Sequence, residues 1–133
     1  MKDKLINTAI EARELSYSPY SKFKVGAALL CKDGTIFKGA NVENASYPLT
    51  VCGERNAIYS AMMHGYTKDD FVALAIVADT EGPCAPCGAC RQVIHELLPS
   101  DSLIYMANLK GQYKVTSPNE LLPFAFSEKD LNK

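Results

Sequence analysis

The sequence has no excess of charge of either sign and no cluster of basic residues. The 14 lysine and arginine residues nearly balance the 15 aspartate and glutamate residues, which gives a formal net charge of −1 and a pI near 6.1. Proteins that bind DNA or RNA usually carry a basic patch that neutralises phosphates. The composition therefore argues against a nucleic-acid partner and favours a small or neutral one.

Long apolar runs are also lacking. The longest strongly apolar run, Phe71 to Ala78, is too short to cross a bilayer. The N-terminal residues, Met1 to Lys4, lead into a charged helix rather than a signal peptide. We expect no membrane partner and a cytoplasmic location. With 47% hydrophobic and 22% charged residues, we also expect one compact catalytic domain over residues 1–133.

Histidine is scarce, whereas cysteine is not. We expect His64 and His95 on the surface, because His64 ends a helix just before Gly65 and His95 lies on a different helical face from Cys90. There are 5 cysteines, an odd number, and three of them fall within Cys84 to Cys90. This spacing favours gathering around a metal ion over pairing in disulfides.

The order of the predicted elements indicates a sheet between layers of helices. Helical periodicity predicts the helices, β-like runs predict the strands, and Asp33-Gly34 predicts a tight hairpin with positive φ angles. The alternation of helices with buried strands implies an α/β fold with three layers, α/β/α. In chain order the predictions are a helix over Lys4–Leu15 capped by Asp3, strands over Phe23–Cys31 and Thr35–Val42, a helix over Cys52–His64 ended by Gly65, a strand over Phe71–Ala78, a helix that carries Cys90, Val93, Ile94 and Leu97 and stops at Pro99, strands over Ser102–Ala107 and Gln112–Thr116, and a last helix begun by Ser117 and Pro118.

Three cysteines are expected at helix starts, where they can bind a metal ion together. Cys52 is placed in the first turn of the second helix, and Cys87 and Cys90 in the first turn of the third. Unpaired N–H groups and the positive end of the helix dipole favour thiolates there. Both helices follow strands, so their starts can meet at one edge of a sheet. Three thiolates leave a tetrahedral zinc ion one open position for water. A site of this kind is suited to hydrolysis.

Two charged side chains complete the candidate site. Glu54 shares a helical face with Ala57 and Ile58, and an inward carboxylate is unfavourable unless it is paired or protonated. Burial would raise its pKa towards neutrality, so Glu54 is the candidate general acid and base; the alternative is a glutamate that serves only the helix dipole. Arg55 is the candidate donor to the Cys52 thiolate, offsetting the negative charge of the centre; the alternative is an exposed helix arginine.

Other interpretations of the cysteines remain open at this point. Cys84 could join the other three thiols in a closed structural zinc site. Cys84, Cys87 and Cys90 also match the first three positions of an iron–sulfur run, but the position for a fourth cysteine holds Ile94. We favour the three-ligand zinc site and treat Cys84 and Cys31 as ordinary thiols.

The motif Cys-x-Glu followed by Pro-Cys-x-x-Cys is the known signature of zinc deaminases that act on nucleobases. Beyond this motif, the sequence resembles the family of small homotetrameric cytidine deaminases along almost its full length. Five segments match in order and spacing: Phe-Lys-Val-Gly-Ala-Ala from Phe23, Asn-Val-Glu-Asn-Ala-Ser-Tyr from Asn41, Cys-Gly-Glu-Arg-Asn-Ala-Ile from Cys52, Pro-Cys-Gly-Ala-Cys-Arg-Gln from Pro86, and Leu-Leu-Pro-Phe-Ala-Phe near the end.

The resemblance implies a three-layer fold around a five-stranded mixed sheet. It implies one Zn²⁺ per subunit, held by Cys52, Cys87 and Cys90, with Glu54 moving protons. The implied reaction is hydrolytic deamination of cytidine and deoxycytidine to uridine and deoxyuridine plus ammonia, in pyrimidine salvage. The implied assembly is a homotetramer with pockets shared between subunits.

The resemblance also implies which residues bind the nucleoside. An amide and a carboxylate can share a sugar hydroxyl, and an aromatic face suits a flat pyrimidine. Turn formation and packing in the chain's own core are the alternatives for several of these residues. By position, Asn41 and Glu43 would bind the ribose 3′-hydroxyl, Phe23 would stack near the base, Ala45, Tyr47 and Phe126 would reach a neighbouring subunit's pocket, Gly53 would loosen the backbone beside the base where the family more often has alanine, and Phe124 leaves open which C-terminal ring reaches the pocket.

Two rival functions share part of this equipment. A polynucleotide-editing deaminase has the same zinc chemistry but needs a basic groove for the strand, which the charge balance argues against. A non-catalytic, zinc-stabilised binding domain would leave the inward Glu54 as an unexplained energetic cost.

Overall fold

The structure, a computed structural model, describes residues 1–131. Residues 132–133, which the predicted catalytic domain includes, lie outside that range. In chain order the elements are α1 (Lys2–Ala12), β1 (Val25–Cys31), β2 (Ile36–Ala40), α2 (Gly53–Met63), β3 (Phe71–Ala78), α3 (Gly88–Leu97), β4 (Leu103–Asn108), β5 (Tyr113–Thr116), α4 (Pro118–Leu121) and α5 (Glu128–Leu131).

The five strands form one mixed sheet in the order β2-β1-β3-β4-β5. β1 pairs antiparallel with both β2 and β3, and β5 pairs antiparallel with β4. β3 and β4 are parallel, and α3 makes the crossover between them that parallel neighbours require. The five-stranded mixed sheet implied by the resemblance is therefore confirmed.

The sheet lies between two layers of helices. Successive side chains of a strand point to opposite faces, so Leu29 joins a buried cluster with Ile58 of α2 and Ile94 of α3. Leu30 joins a second cluster with Leu5 of α1 on the other face. The three-layer α/β/α fold predicted from the sequence is thus confirmed.

α2 lies directly against the backbone of β2. At Gly39, a Cβ atom would fall 2.3 Å from the backbone N of Ala57, so only glycine fits this contact. Asn56 adds a hydrogen bond from Nδ2 to the carbonyl oxygen of Ala40, at 2.7 Å. These contacts hold the start of α2 at the end of β2, and the candidate site is built on that helix start.

Element ends differ from the predictions by a few residues. α1 begins at Lys2 with Met1 at its N-cap rather than Asp3, because the Leu5 N–H already donates to Met1 O at 2.9 Å. Its last predicted turn, Arg13–Leu15, is a 3₁₀ turn. The final helix pair includes α5, which the sequence analysis did not predict.

The hairpin between β1 and β2 has the three-residue loop that was predicted, Lys32-Asp33-Gly34. Cys31 N donates to Thr35 O, which leaves a three-residue loop. Gly34 takes a positive φ of 91°, whereas the Asp33 carboxylate accepts a hydrogen bond from Thr35 N at 2.9 Å. The prediction that both loop residues have positive φ was therefore wrong for Asp33.

α2 ends as predicted, at a glycine with φ of 90°, Gly65. Of the two histidines, His64 is exposed, but His95 is half-buried, so the surface prediction was wrong for His95. No helix within residues 1–131 combines the length and apolar character that a membrane crossing needs.

Candidate metal centre and active site

Two of the three predicted cysteine ligands lie one position before the helices, at their N-caps. Cys52 caps α2 with φ −74° and ψ 158°, and Cys87 caps α3 with φ −69° and ψ 169°. Their prediction inside the first turn was therefore one residue off, because a cap residue keeps the extended backbone of the preceding loop. Cys90 lies in the first turn of α3, as predicted.

The three sulfur atoms converge. Cys52 Sγ lies 3.7 Å from Cys87 Sγ, and Cys87 Sγ lies 3.4 Å from Cys90 Sγ. All three ligand atoms are within 4.8 Å of one another. Zinc–sulfur bonds of about 2.3 Å in a tetrahedron place sulfurs about 3.8 Å apart, so this donor set fits Zn²⁺. Among residues 1–131, Cys31 and Cys84 do not belong to this ligand group.

The pKa values of the Cys52 and Cys90 thiols are shifted in opposite directions. A hydrogen bond with Cys90 and another from Arg55 lower the pKa of Cys52 to about 5. The same bond with Cys52, together with burial, raises the pKa of Cys90. Because a metal ion binds thiolates, loading zinc would displace the proton that Cys90 retains.

Arg55 supplies a positive charge next to the thiols. Its Nη2 lies 3.4 Å from Cys52 Sγ, and this hydrogen bond raises the pKa of the guanidinium. Arg55 Nε is buried and has no hydrogen-bond partner within the described residues. A zinc dication with three thiolates carries one net negative charge, which the guanidinium is placed to offset.

Glu54 lies in the first turn of α2 and is only 3% exposed. Burial raises the pKa of its carboxyl, and the nearby Cys52 thiolate raises it further. A carboxyl whose pKa is raised in this way can hold a proton in one step and release it in another.

A cavity of about 220 Å³ opens beside these groups. Seven of the predicted site residues line it: Phe23, Asn41, Glu43, Tyr47, Cys52, Glu54 and Cys87. Five further residues complete its wall: Ser21, Val25, Thr50, Cys84 and Ala85.

Asn41 and Glu43 are buried residues that line this cavity, and both are held by hydrogen bonds. Asn41 Oδ1 accepts from Ser16 Oγ at 2.5 Å and from Val25 N at 3.0 Å, and its Nδ2 donates to Phe23 O at 2.8 Å. Among residues 1–131, the second N–H of the amide has no acceptor, so it can donate to a ligand. Glu43 accepts hydrogen bonds from the loop before β1, and the Ser21 hydroxyl lowers the pKa of its carboxyl.

Three further predicted substrate-binding residues, Ala45, Gly53 and Phe126, do not line the cavity. Gly53 is buried at the start of α2, and a Cβ atom there would come 3.1 Å from Val25 O. A glycine at this position therefore allows the start of α2 to pack closely against β1. This role was not predicted from the sequence. Ala45 is exposed, and Phe126 is 57% exposed with its carbonyl accepting from Gln92 Nε2 at 2.9 Å.

Two aromatic residues bear on the predicted sharing of pockets. Tyr47 is 63% exposed and lies at the rim of its own chain's cavity. Phe124 is fully exposed and has a positive φ of 56°, which is uncommon outside glycine. Their contribution to a neighbouring subunit stays a prediction.

Ser21 was not among the predicted site residues, and Cys84 was treated as an ordinary thiol. Cys84 is buried in the cavity wall, and burial and then the Glu54 charge raise the pKa of its thiol to about 11. The short separation of Cys84 and Cys87 in the sequence could have indicated that Cys84 lies close to the site. There was no such indication for Ser21, because its partner Glu43 is far away in the chain and the two meet only through the fold.

A three-thiol zinc site beside a buried carboxyl, on a three-layer α/β/α fold, defines a zinc-dependent hydrolase. Residues 1–106 match the profile of the family described as "Cytidine and deoxycytidylate deaminase zinc-binding region". This chain belongs to that cytidine deaminase family.

Individual relatives agree with this assignment. A cytidine deaminase of Halalkalibacterium halodurans is 55% identical over 128 residues, 96% of each chain. One of Sporosarcina psychrophila is 53% identical over 130 residues, 98% of this chain and 94% of the relative. The crystal structure of a cytidine deaminase from Burkholderia pseudomallei superposes with a TM-score of 0.93 at 52% identity, over 95% of this chain and 99% of that one. The resemblance inferred from the motifs and the assignment as an enzyme are thereby confirmed.

Proposed function

We propose that this chain catalyses hydrolytic deamination of free cytidine and deoxycytidine to uridine and deoxyuridine, with release of ammonia, as a step of pyrimidine salvage. The observation that carries the proposal is the convergence of the Cys52, Cys87 and Cys90 thiols with the buried Glu54 carboxyl at one cavity. The first group fits Zn²⁺, and the second can move protons.

Cys52, Cys87 and Cys90 would hold one Zn²⁺ per chain, and this ion would make a water molecule acidic enough to serve as a nucleophile near neutral pH. Glu54 takes a proton from this water and delivers it to N3 of the pyrimidine, which makes C4 more electrophilic. The water oxygen forms a bond to C4. Glu54 then takes the second water proton to the amine, the C4–N bond breaks, and ammonia leaves. The raised pKa of the buried carboxyl suits both directions of transfer.

Arg55 keeps the centre electrophilic. Three thiolates weaken the pull of zinc on its ligands, because they return negative charge to it. The guanidinium, hydrogen-bonded to Cys52 Sγ, withdraws part of that charge. The role of Arg55 is therefore to reduce the negative charge on the thiolates rather than to contact the substrate.

The residues that line the cavity support a proposed role for several of them in binding the nucleoside. Phe23 lines the cavity and offers an aromatic face to the pyrimidine, and Gly53, at the start of α2, would loosen the backbone next to the base. The free N–H of Asn41 and the carboxylate of Glu43 suit the 3′-hydroxyl, which both accepts and donates. A polynucleotide substrate is disfavoured because the net charge of −1 provides no basic track for phosphates.

The wider setting is proposed as well. Residues 1–133 would form one catalytic domain in the cytoplasm. Four copies would assemble with shared pockets, to which Ala45, Tyr47 and Phe126 are contributed across subunit boundaries. The exposure of Tyr47 and Phe126 supports such contacts.

Ammonia release by the zinc-loaded protein tests the function directly. We expect turnover of cytidine and deoxycytidine and none of a cytosine-containing single-stranded oligonucleotide. Preferential turnover of the oligonucleotide would support an editing deaminase instead, and no ammonia from any of the three would support a binding domain. Protein with the zinc removed by a chelator is the matched control.

A further inference from the structure

The Glu43 carboxylate is held by hydrogen bonds from the short loop before β1. Its Oε1 accepts hydrogen bonds from Tyr20 N at 3.0 Å and from Ser21 N at 3.1 Å, and its Oε2 accepts from the Ser21 hydroxyl. Glu43 is 4% exposed, so water contributes little to its solvation. The loop therefore fixes the rotation of the carboxylate about its last bond.

This arrangement leaves a defined place for one more donor. Each carboxylate oxygen accepts about two hydrogen bonds, and Oε1 already has two. Oε2 has one, from Ser21 Oγ. Within residues 1–131 the remaining acceptor site of the carboxylate therefore belongs to Oε2, the oxygen that is held by the Ser21 hydroxyl, and Glu43 lines the cavity.

The loop itself is built to hold Ser21 in this place. Lys22 has a φ of 61°, in the left-handed region, and its N–H donates to Ser18 O at 3.0 Å. Phe23 N donates to Ser21 Oγ at 3.0 Å. The hydroxyl therefore accepts from the backbone of the proposed stacking residue while donating to Glu43. Ser21 also lines the cavity.

We propose that Ser21 is a positioning residue for substrate selection: its hydroxyl orients Glu43 so that the free acceptor site of Oε2 meets the 3′-hydroxyl of the nucleoside. The inference rests on the proposed function and adds to it the source of discrimination in favour of nucleosides with a 3′-hydroxyl. Ser21 acts through Glu43 and takes no part in proton transfer at the base.

Steady-state kinetics of Ser21→Ala on three substrates tests this role. With cytidine and 2′-deoxycytidine, we expect kcat/KM to fall by roughly tenfold, mainly through KM, since a charge-assisted hydrogen bond loses its orientation. With 3′-deoxycytidine, which lacks the hydroxyl, we expect a change of less than about twofold. Ser21→Thr keeps a hydroxyl on an exposed side chain and should restore the wild-type discrimination. Ser100→Ala, at another exposed serine, is the control.

Equal losses on all three substrates would overturn the inference, because they indicate a general structural role. Unchanged discrimination in Ser21→Ala, or discrimination lost in Ser21→Thr, would overturn it as well. These results leave the proposed function intact as long as the wild-type protein deaminates cytidine. A wild-type protein inactive on all three nucleosides would instead refute the proposed function, and this inference with it.

Discussion

At the scale of single residues, the chemistry depends on a carboxyl that is buried but not permanently charged. Burial and the Cys52 thiolate raise the pKa of Glu54, whereas its own backbone N–H and the Arg55 charge act in the opposite direction. The balance lets Glu54 carry a proton in one step and lose it in the next. A side chain of the same shape that cannot titrate should therefore fill the site without supporting turnover.

Glu54→Gln is expected to lower kcat for cytidine by roughly 100- to 10,000-fold, the usual range for general acid–base catalysis. Zinc content and the thermal unfolding transition should stay near the wild-type values, because no metal ligand is removed. Glu96→Gln, at an exposed glutamate of α3, is the matched control. Cytidine turnover at the wild-type rate in Glu54→Gln would rule out this role for the residue.

The site residues that belong to a short sequence motif could be predicted. Cys52, Cys87 and Cys90 stand at helix starts signalled by local sequence, and Glu54 falls on the apolar face of its helix. Ser21 was not predictable, because its hydrogen bond to Glu43 depends on how the loop before β1 folds over the end of β2. Local patterns contain no information about such a contact.

At the scale of secondary-structure elements, the active site depends on how closely α2 approaches β2. The helix backbone contacts the strand at Gly39, where a Cβ atom would lie 2.3 Å from Ala57 N and 2.3 Å from Gly53 O. Backbone atoms at that distance cannot yield as a flexible side chain can. Any larger residue would push the start of α2, which carries Cys52 and Glu54, away from the sheet.

Gly39→Ala is expected to lower the free energy of unfolding by about 1–3 kcal/mol or more, as overpacking in a well-packed core does. Urea denaturation measures the change. Gly82→Ala is the control, because a Cβ atom at Gly82 meets no other atom within 4 Å, and it should change stability by less than about 0.5 kcal/mol. Equal stability of Gly39→Ala and the wild-type protein would contradict the tight contact.

The identity and order of the principal helices and strands followed from periodicity, but their ends did not. The shift of the cap of α1 to Met1 arises from a backbone hydrogen bond that leaves little trace in the sequence. The β3 prediction, Phe71 to Ala78, was correct at both ends, because burial on both faces makes a strand apolar throughout.

At the scale of the whole molecule, three aromatic side chains remain uncovered in one chain. Tyr47, Phe124 and Phe126 are each more than half exposed. The proposed contacts between subunits would cover rings of this kind. The sequence predicted the three layers and the metal centre, but sharing of pockets between subunits followed from the resemblance alone, since no local pattern specifies what an exposed ring contacts.

Dilution tests the shared pocket. If Tyr47 and Phe126 complete a neighbour's site, specific activity should fall as the protein is diluted below the tetramer dissociation constant, in step with the mass measured by analytical ultracentrifugation. Phe126→Ala should shift both curves to higher protein concentration. Lys129→Ala, at an exposed residue of α5, is the control and should leave both curves in place. A fully active monomer would refute the shared pocket.

The zinc content of cysteine variants tests the central claim, that exactly three thiols hold a metal ion beside Glu54, most directly. We expect one zinc ion per chain in the wild-type protein and in Cys84→Ser, whose thiol lies outside the ligand group. Cys87→Ser should lose zinc and cytidine turnover together. Full zinc occupancy in Cys87→Ser, or loss of zinc in Cys84→Ser, would contradict the account.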